Sequence, residues 1–96
     1  MKPAIALNAH RDAIRTIVAG HRDRNPSVFG SVVQGCDTDE SDLDLLVDPT
    51  PETTLFDIGA IRHELLELLG VPVDGLTSKA LPETFRATVF AQAVPV

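Results

Sequence analysis

Two aspartates one residue apart, Asp42 and Asp44, follow the pair Gly30-Ser31 after an interval of ten residues. Val28-Phe29 precedes the pair and Leu45-Leu46-Val47 follows the aspartates. The pattern predicts a short strand, a tight turn, a polar loop and a second strand. Alternate side chains of a strand share a face, so Asp42 and Asp44 project together while Leu43 and Leu45 point the other way. Paired carboxylates form a hard oxygen donor set suited to a divalent cation. A Gly-Ser turn offers backbone N–H groups to a phosphate. A cation site beside a phosphate cradle is the minimum equipment for moving a nucleotide.

These residues need elements to position them. A first helix is expected over about Ala9 to Ala19, capped by Asn8 and stopped by Gly20, with Ile14, Ile17 and Val18 inward. His21 to Pro26 reads as a charged turn, Ser27 to Gly30 as the first strand, and Gly30 to Gly35 as a turn or single helical turn. Cys36 to Ser41 is an acidic loop and Asp42 to Asp48 the second strand. Thr50 is the expected cap of a middle helix, with Pro51 at its first position. Its stripe is Leu55, Ile58, Ile61, Leu65, Leu68 and Leu69, ending at Gly70. Val71 to Leu76 is a third strand, carrying Asp74. Pro82 opens a last helix with Phe85, Val89 and Phe90 inward. The order is α-β-β-α-β-α. The middle helix is long enough to set the second and third strands parallel, whereas the short link before it favours an antiparallel first pair. The expected fold class is α/β (α+β): a small mixed sheet with helices packed on it, and residues 1–96 as one domain.

The chain has 96 residues, 44% of them hydrophobic, with four Phe and no Trp or Tyr, so its core is aliphatic. A net charge of −6 argues against a generic nucleic-acid surface, which would be basic. Its size leaves little room for a separate acceptor domain. Either the acceptor is large and docks from outside, or the domain works inside a complex. One cysteine, Cys36, excludes an intrachain disulfide and fits a reducing cytoplasm. No segment approaches the roughly 20 apolar residues of a membrane span, and the N-terminus lacks the apolar stretch of a signal peptide.

Other candidates are weaker. Asp37, Asp39 and Glu40 read as a solvated loop. His10, His21 and His63 are scattered and read as surface residues. His63-Glu64-Leu65-Leu66-Glu67 starts like the zinc-protease pattern, but Glu67 stands where the second histidine is required. Phe56, Gly59, Ala60 and His63 share one flank of the middle helix. They are either a partner face or, through Phe56, an extension of the core.

Phe29-Gly30-Ser31, Gly35, Ser41-Asp42-Leu43-Asp44-Leu45-Leu46-Val47, Gly70-Val71-Pro72-Val73-Asp74 and the closing Ala93-Val94-Pro95 together resemble the minimal nucleotidyltransferase (MNT) branch of the DNA polymerase β superfamily. The resemblance covers nearly the whole chain. It implies a nucleotidyltransferase with Mg²⁺, in two ions, held by Asp42, Asp44 and Asp74. It implies that Gly30 and Ser31 contact the phosphates of ATP. Two ions about 4 Å apart clamp the attacking and leaving oxygens of an in-line displacement, and Asp74 is a candidate to accept the acceptor's proton. Many members of the family are antitoxins encoded beside a HEPN-type ribonuclease toxin. The implied activity is transfer of AMP to a hydroxyl, most naturally a tyrosine, of that partner. The alternative is an antitoxin that acts by binding alone. Transfer to RNA or a small molecule is disfavoured by the charge and the size. The chain departs from the family at Val32, Val33 and Gln34, where many members carry arginines. Arg24, Lys79 and Arg86 are the candidates to supply that charge.

Overall fold

The computed structural model describes residues 1–77 and 81–96. Its elements run α1 (Pro3–Ala9), α2 (Arg11–Gly20), β1 (Asp23–Phe29), α3 (Ser31–Gln34), β2 (Leu43–Pro49), α4 (Leu55–Leu69), β3 (Val73–Thr77), α5 (Glu83–Gln92) and β4 (Val94–Pro95). The sheet order is β3-β2-β1-β4. β1 runs antiparallel to β2 and β4, and β3 runs parallel to β2, so the sheet is mixed.

The central strand β2 organises the core. Leu43, Leu45 and Val47 alternate onto one face and are almost wholly buried. They join Val28 and Val73 from the neighbouring strands, Ile14 and Val18 of α2, Ile61, Leu65 and Leu69 of α4, and Ala6 and Leu7 of α1. Truncating one such leucine to alanine costs about 2–5 kcal/mol in a well-packed core. Leu46 projects to the opposite face, the face of Asp44. Leu46 and Leu81 are both buried but stand outside this cluster.

Several boundaries differ from the sequence expectation. The N-terminal helix is two helices broken at His10. Asn8 lies inside α1 rather than capping α2, and its side chain accepts from the Arg11 guanidinium at 2.9 and 3.2 Å. The cap of α4 is Thr54, not Thr50. Thr54 and Asp57 form a reciprocal capping box, the Thr54 N–H donating to Asp57 Oδ2 at 2.9 Å and the Asp57 N–H to the Thr54 hydroxyl at 3.3 Å. The Thr54 N–H holds the Asp57 carboxyl below its ordinary range. Leu55 therefore sits in the first turn and is 89% exposed, as is Phe56, so Phe56 does not extend the core. No residue of α5 is buried, and Phe85 and Phe90 are exposed rather than inward. Periodicity tells which residues share a face, but not whether that face meets a sheet. His21 is also not a free surface residue. Its ring pairs with Glu64 and stands 3.7 Å from Asp57, joining the end of α2 to α4.

β1 begins four residues early. Asp23 to Pro26 belongs to the strand, with a bulge between Arg24 and Ser27 and positive φ at Arg22 (67°) and Asn25 (51°). Turn-like residues here build a bulge rather than a turn. The Pro26 carbonyl accepts the Val96 N–H at 2.9 Å, beside the two-residue strand β4.

The bulged segment buries a carboxylate. Asp23 is 3% exposed and neither of its oxygens has a hydrogen-bond partner among the described residues. The Thr53 hydroxyl is close, but donates its one proton to the Arg22 carbonyl at 2.8 Å. Burial pushes the Asp23 carboxyl above its ordinary value and the Asp57 charge adds to this, with Thr53 and His21 offsetting only part. The unfolded chain releases this proton near the ordinary value of 3.8. The folded chain holds it to higher pH. Stability is therefore lost as pH rises from that value through the folded pKa. Asp23→Asn is expected to melt above the wild type at pH 7, with the gap closing as pH falls toward 4. Thermal melts of both proteins across that range measure it, and a gap independent of pH would contradict it.

Candidate active site

Asp44 is the second residue of β2, with Phe29 of β1 on one side and Asp74 of β3 on the other, each its registered partner. Registered partners project to the same face, so Asp44 and Asp74 stand side by side on adjacent strands about 4.8 Å apart. Asp42 precedes β2 by one residue and is exposed on the same face. Half-burial pushes the Asp44 carboxyl up, and the charges of Asp74 and then Asp42 push it further. Three like charges therefore crowd one patch of open sheet.

Gly30 shapes that patch. Its φ of 73° and ψ of −144° lie where residues with a side chain are strained. A Cβ there would also sit 3.2 Å from Asp44 Cγ and closer still to Oδ2. The carboxylate of Asp44 therefore lies directly against the glycine backbone. Ser31 opens the single-turn helix α3 with no side-chain cap. The Gly30 carbonyl accepts the Gln34 N–H at 3.0 Å, and the Ser31 carbonyl accepts the Cys36 N–H at 3.0 Å. Gly35 closes the turn in the left-handed region.

Among the described residues, no three His, Cys, Asp or Glu side chains close on a common point as one metal ion would require. The donor chemistry nevertheless fits a hard divalent cation: oxygen ligands only, all anionic, and held together against mutual repulsion that a cation would relieve. The acids line none of the grooves of 810, 570 and 320 Å³ found elsewhere on the surface. The site is open.

Val32 and Val33 pack against the hydrophobic core. Both are partly buried, and Gln34 alone of the three is exposed. Of the substitute cations, Arg24 pairs with Asp48 at the far end of the strands from Asp44. Arg86 Nη2 donates to the Leu81 carbonyl at 3.2 Å. Lys79 lies outside the described residues.

Asp37 departs from the solvated-loop expectation. Its carboxylate accepts the Ala4 N–H at 3.0 Å and so caps α1 from 33 residues away. The bond ties the loop leading into Asp42 to the N-terminal helix. No local pattern announces a cap at that separation. Asp39 and Glu40 are exposed, Asp39 standing 3.7 Å from the Met1 amino group.

Gly30→Ala and Gly35→Ala provide a matched pair, since both glycines have φ of 73°. A Cβ at Gly35 meets nothing within 4 Å. Gly35→Ala is expected to cost about 1–2 kcal/mol from backbone strain alone. Gly30→Ala should cost more and displace Asp44, read as changed Asp44 resonances in NMR spectra where Gly35→Ala leaves them in place.

Residues 8–95 match the family of the nucleotidyltransferase domain. A protein of Methanocaldococcus jannaschii, provisionally named a protein adenylyltransferase, is 30% identical over 94% of this chain and 97% of its own. A solved structure provisionally identified as a minimal nucleotidyltransferase is 36% identical, with a TM-score of 0.88 over 97% of this chain and 95% of its own. A complex of a tri-AMPylated HEPN toxin from Shewanella oneidensis with an MNT antitoxin is similar in fold, with a TM-score of 0.69 at 14% identity over 92% of this chain and 69% of the matched one. With the Gly30-Ser31 turn and the acids of β2 and β3 in this frame, the chain belongs to the nucleotidyltransferase domain family and, within it, to the minimal nucleotidyltransferases.

Proposed function

We propose that this nucleotidyltransferase transfers AMP from MgATP to a tyrosine hydroxyl of a HEPN-type toxin and thereby acts as its antitoxin. The observation that carries the reading is the packing of three acids on one open sheet face, with the Asp44 carboxylate against Gly30. The relative provisionally named a protein adenylyltransferase supports AMP as the group moved. The fold neighbour whose toxin is tri-AMPylated supports the acceptor. Residues 1–96 act as one domain in this reading. Cys36, free and exposed, suits a cytoplasmic setting, and no helix among the described residues is long and apolar enough to cross a membrane.

Asp42, Asp44 and Asp74 would hold Mg²⁺, which when bound neutralises phosphate charge and lowers the barrier to displacement at phosphorus. Gly30 and Ser31 would hold the phosphates through N–H groups and the serine hydroxyl. The tyrosine oxygen forms its bond to the α-phosphorus and the bond to the β-phosphate oxygen breaks. Pyrophosphate leaves, and Asp74 accepts the phenolic proton. An open site admits a side chain presented by a folded partner, which an enclosed pocket would exclude.

Two outcomes are expected. Mg²⁺ with ATP should raise the melting temperature more than either alone, because ligands selective for the native state stabilise it by mass action. Asp42→Asn with Asp44→Asn should keep the fold, and removing mutual repulsion should raise the melting temperature of the metal-free protein at neutral pH. The double variant should still bind the toxin yet leave its mass unchanged, whereas the wild type with MgATP adds whole AMP units. Equal neutralisation by both proteins without a mass change would establish the binding-only antitoxin instead.

A further inference from the structure

Among the described residues β3 is an edge strand, with β2 on one side and no strand on the other. Successive residues of a strand direct their backbone polar groups to opposite sides. The Pro72 carbonyl accepts the Leu43 N–H of β2 at 2.9 Å. The carbonyl of Val73 therefore faces the free edge. It is capped there by Arg62 of α4, whose Nε donates to it at 3.2 Å. The arginine reaches the edge across a 320 Å³ groove lined by Gly59, Arg62, His63, Leu66, Pro72 and Val73. The residue that follows Val73 is Asp74.

This bond sits where the acid patch is weakest. Asp44 is held on a central strand between two neighbours, and its carboxylate rests on Gly30. Asp74 rides on a strand paired along one side only, directly beside a like charge that repels it. We infer that Arg62 is a positioning residue for Asp74: it pins the free edge of β3 so that the third acid keeps its register against Asp44. Arginine suits the task. A charged donor makes a stronger bond to a carbonyl than a neutral one, and its apolar stem spans the groove between helix and edge. The inference rests on the reading of Asp74 as the third acid of the site.

The test uses the whole chain with Arg62→Met, which keeps the stem, and Arg62→Lys, which keeps a charged donor. Amide hydrogen exchange gives the first readout. The Asp74 amide should exchange about tenfold faster in Arg62→Met and less so in Arg62→Lys, while those of Ile14 and Val18 keep wild-type rates. An unchanged Asp74 rate, or an equal rise at all of these amides, overturns the inference whether or not the protein transfers a nucleotide. Mn²⁺ affinity, read from paramagnetic broadening of the protein's signals, is the second readout. Arg62→Met should weaken it about tenfold, the size typical of a group that orients a ligand. On an Asp74→Asn background the same substitution should cost no more than about twofold, since a residue acting through Asp74 has nothing left to orient. Equal losses on both backgrounds overturn the inference. If the wild type itself fails to bind Mn²⁺, the proposed metal-dependent activity falls, and the exchange rates alone decide the role of Arg62.

Discussion

The Asp44 carboxylate is pressed against the backbone of Gly30, and much of the molecule serves to keep it there. Asp44 cannot leave that position without moving β2, because its neighbours Leu43 and Leu45 are buried on the opposite face. Sliding β2 by one residue would drive Asp44 into the core and turn both leucines to solvent. At about 1.5–3 kcal/mol for each large aliphatic side chain buried, the core outweighs any gain from separating the exposed charges. The hydrophobic pattern of one central strand thus fixes the height and face at which the acids stand. The glycine with positive φ makes room for the carboxylate that results.

The acids are held by different means. Asp44 is fixed by register on both sides. Asp42 emerges from a loop whose other end is tied down by Asp37 capping α1. Asp74 lies on the edge strand that Arg62 grips from α4. Two of these three supports are long-range bonds between side chain and backbone, spanning 33 and 11 residues. Such bonds hold position without adding bulk, which suits a fold with few layers to spare. The Asp44 carboxyl, pushed up by burial and then by its neighbours, records the cost of this crowding in the metal-free state.

Legibility in the sequence followed the range of each interaction. The side-by-side placement of Asp44 and Asp74 was legible because strand alternation is local and the intervening helix is long enough to force a parallel pair. The turn at Gly30-Ser31 was legible for the same reason. Helix starts were less so. Thr50-Pro51 and Thr54 with Asp57 both carry start signals, and the reciprocal hydrogen bonds of the second pair prevailed. The bulge in β1 resembles a turn in sequence because Asn25 and Pro26 suit either, and only pairing with β2 decides between them. Asp37, Arg62 and Asp23 gave no signal at all. Their roles arise from distant backbone brought close by the fold, and neither composition nor periodicity carries that information.

The buried Asp23 shows how such a fold divides its tolerance for unfavourable charge. It stands where β1 meets Pro49, at the opposite end of the strands from Asp44. Two ionisable groups are thus placed against their solvation preference in a chain of 96 residues. The two differ in what can relieve them. Asp44 shares a face with two other acids, and positive charge arriving from solvent would offset the repulsion among them. Asp23 is buried without a hydrogen-bond partner among the described residues, and a proton is what neutralises it most simply. Binding at the first site would therefore stabilise the protein through charge compensation. The second adds no such response and lowers stability wherever its proton is lost. A domain with little core to draw on can carry both only because the aliphatic packing around β2 is nearly complete, with Leu43, Leu45 and Leu65 at 0% exposure.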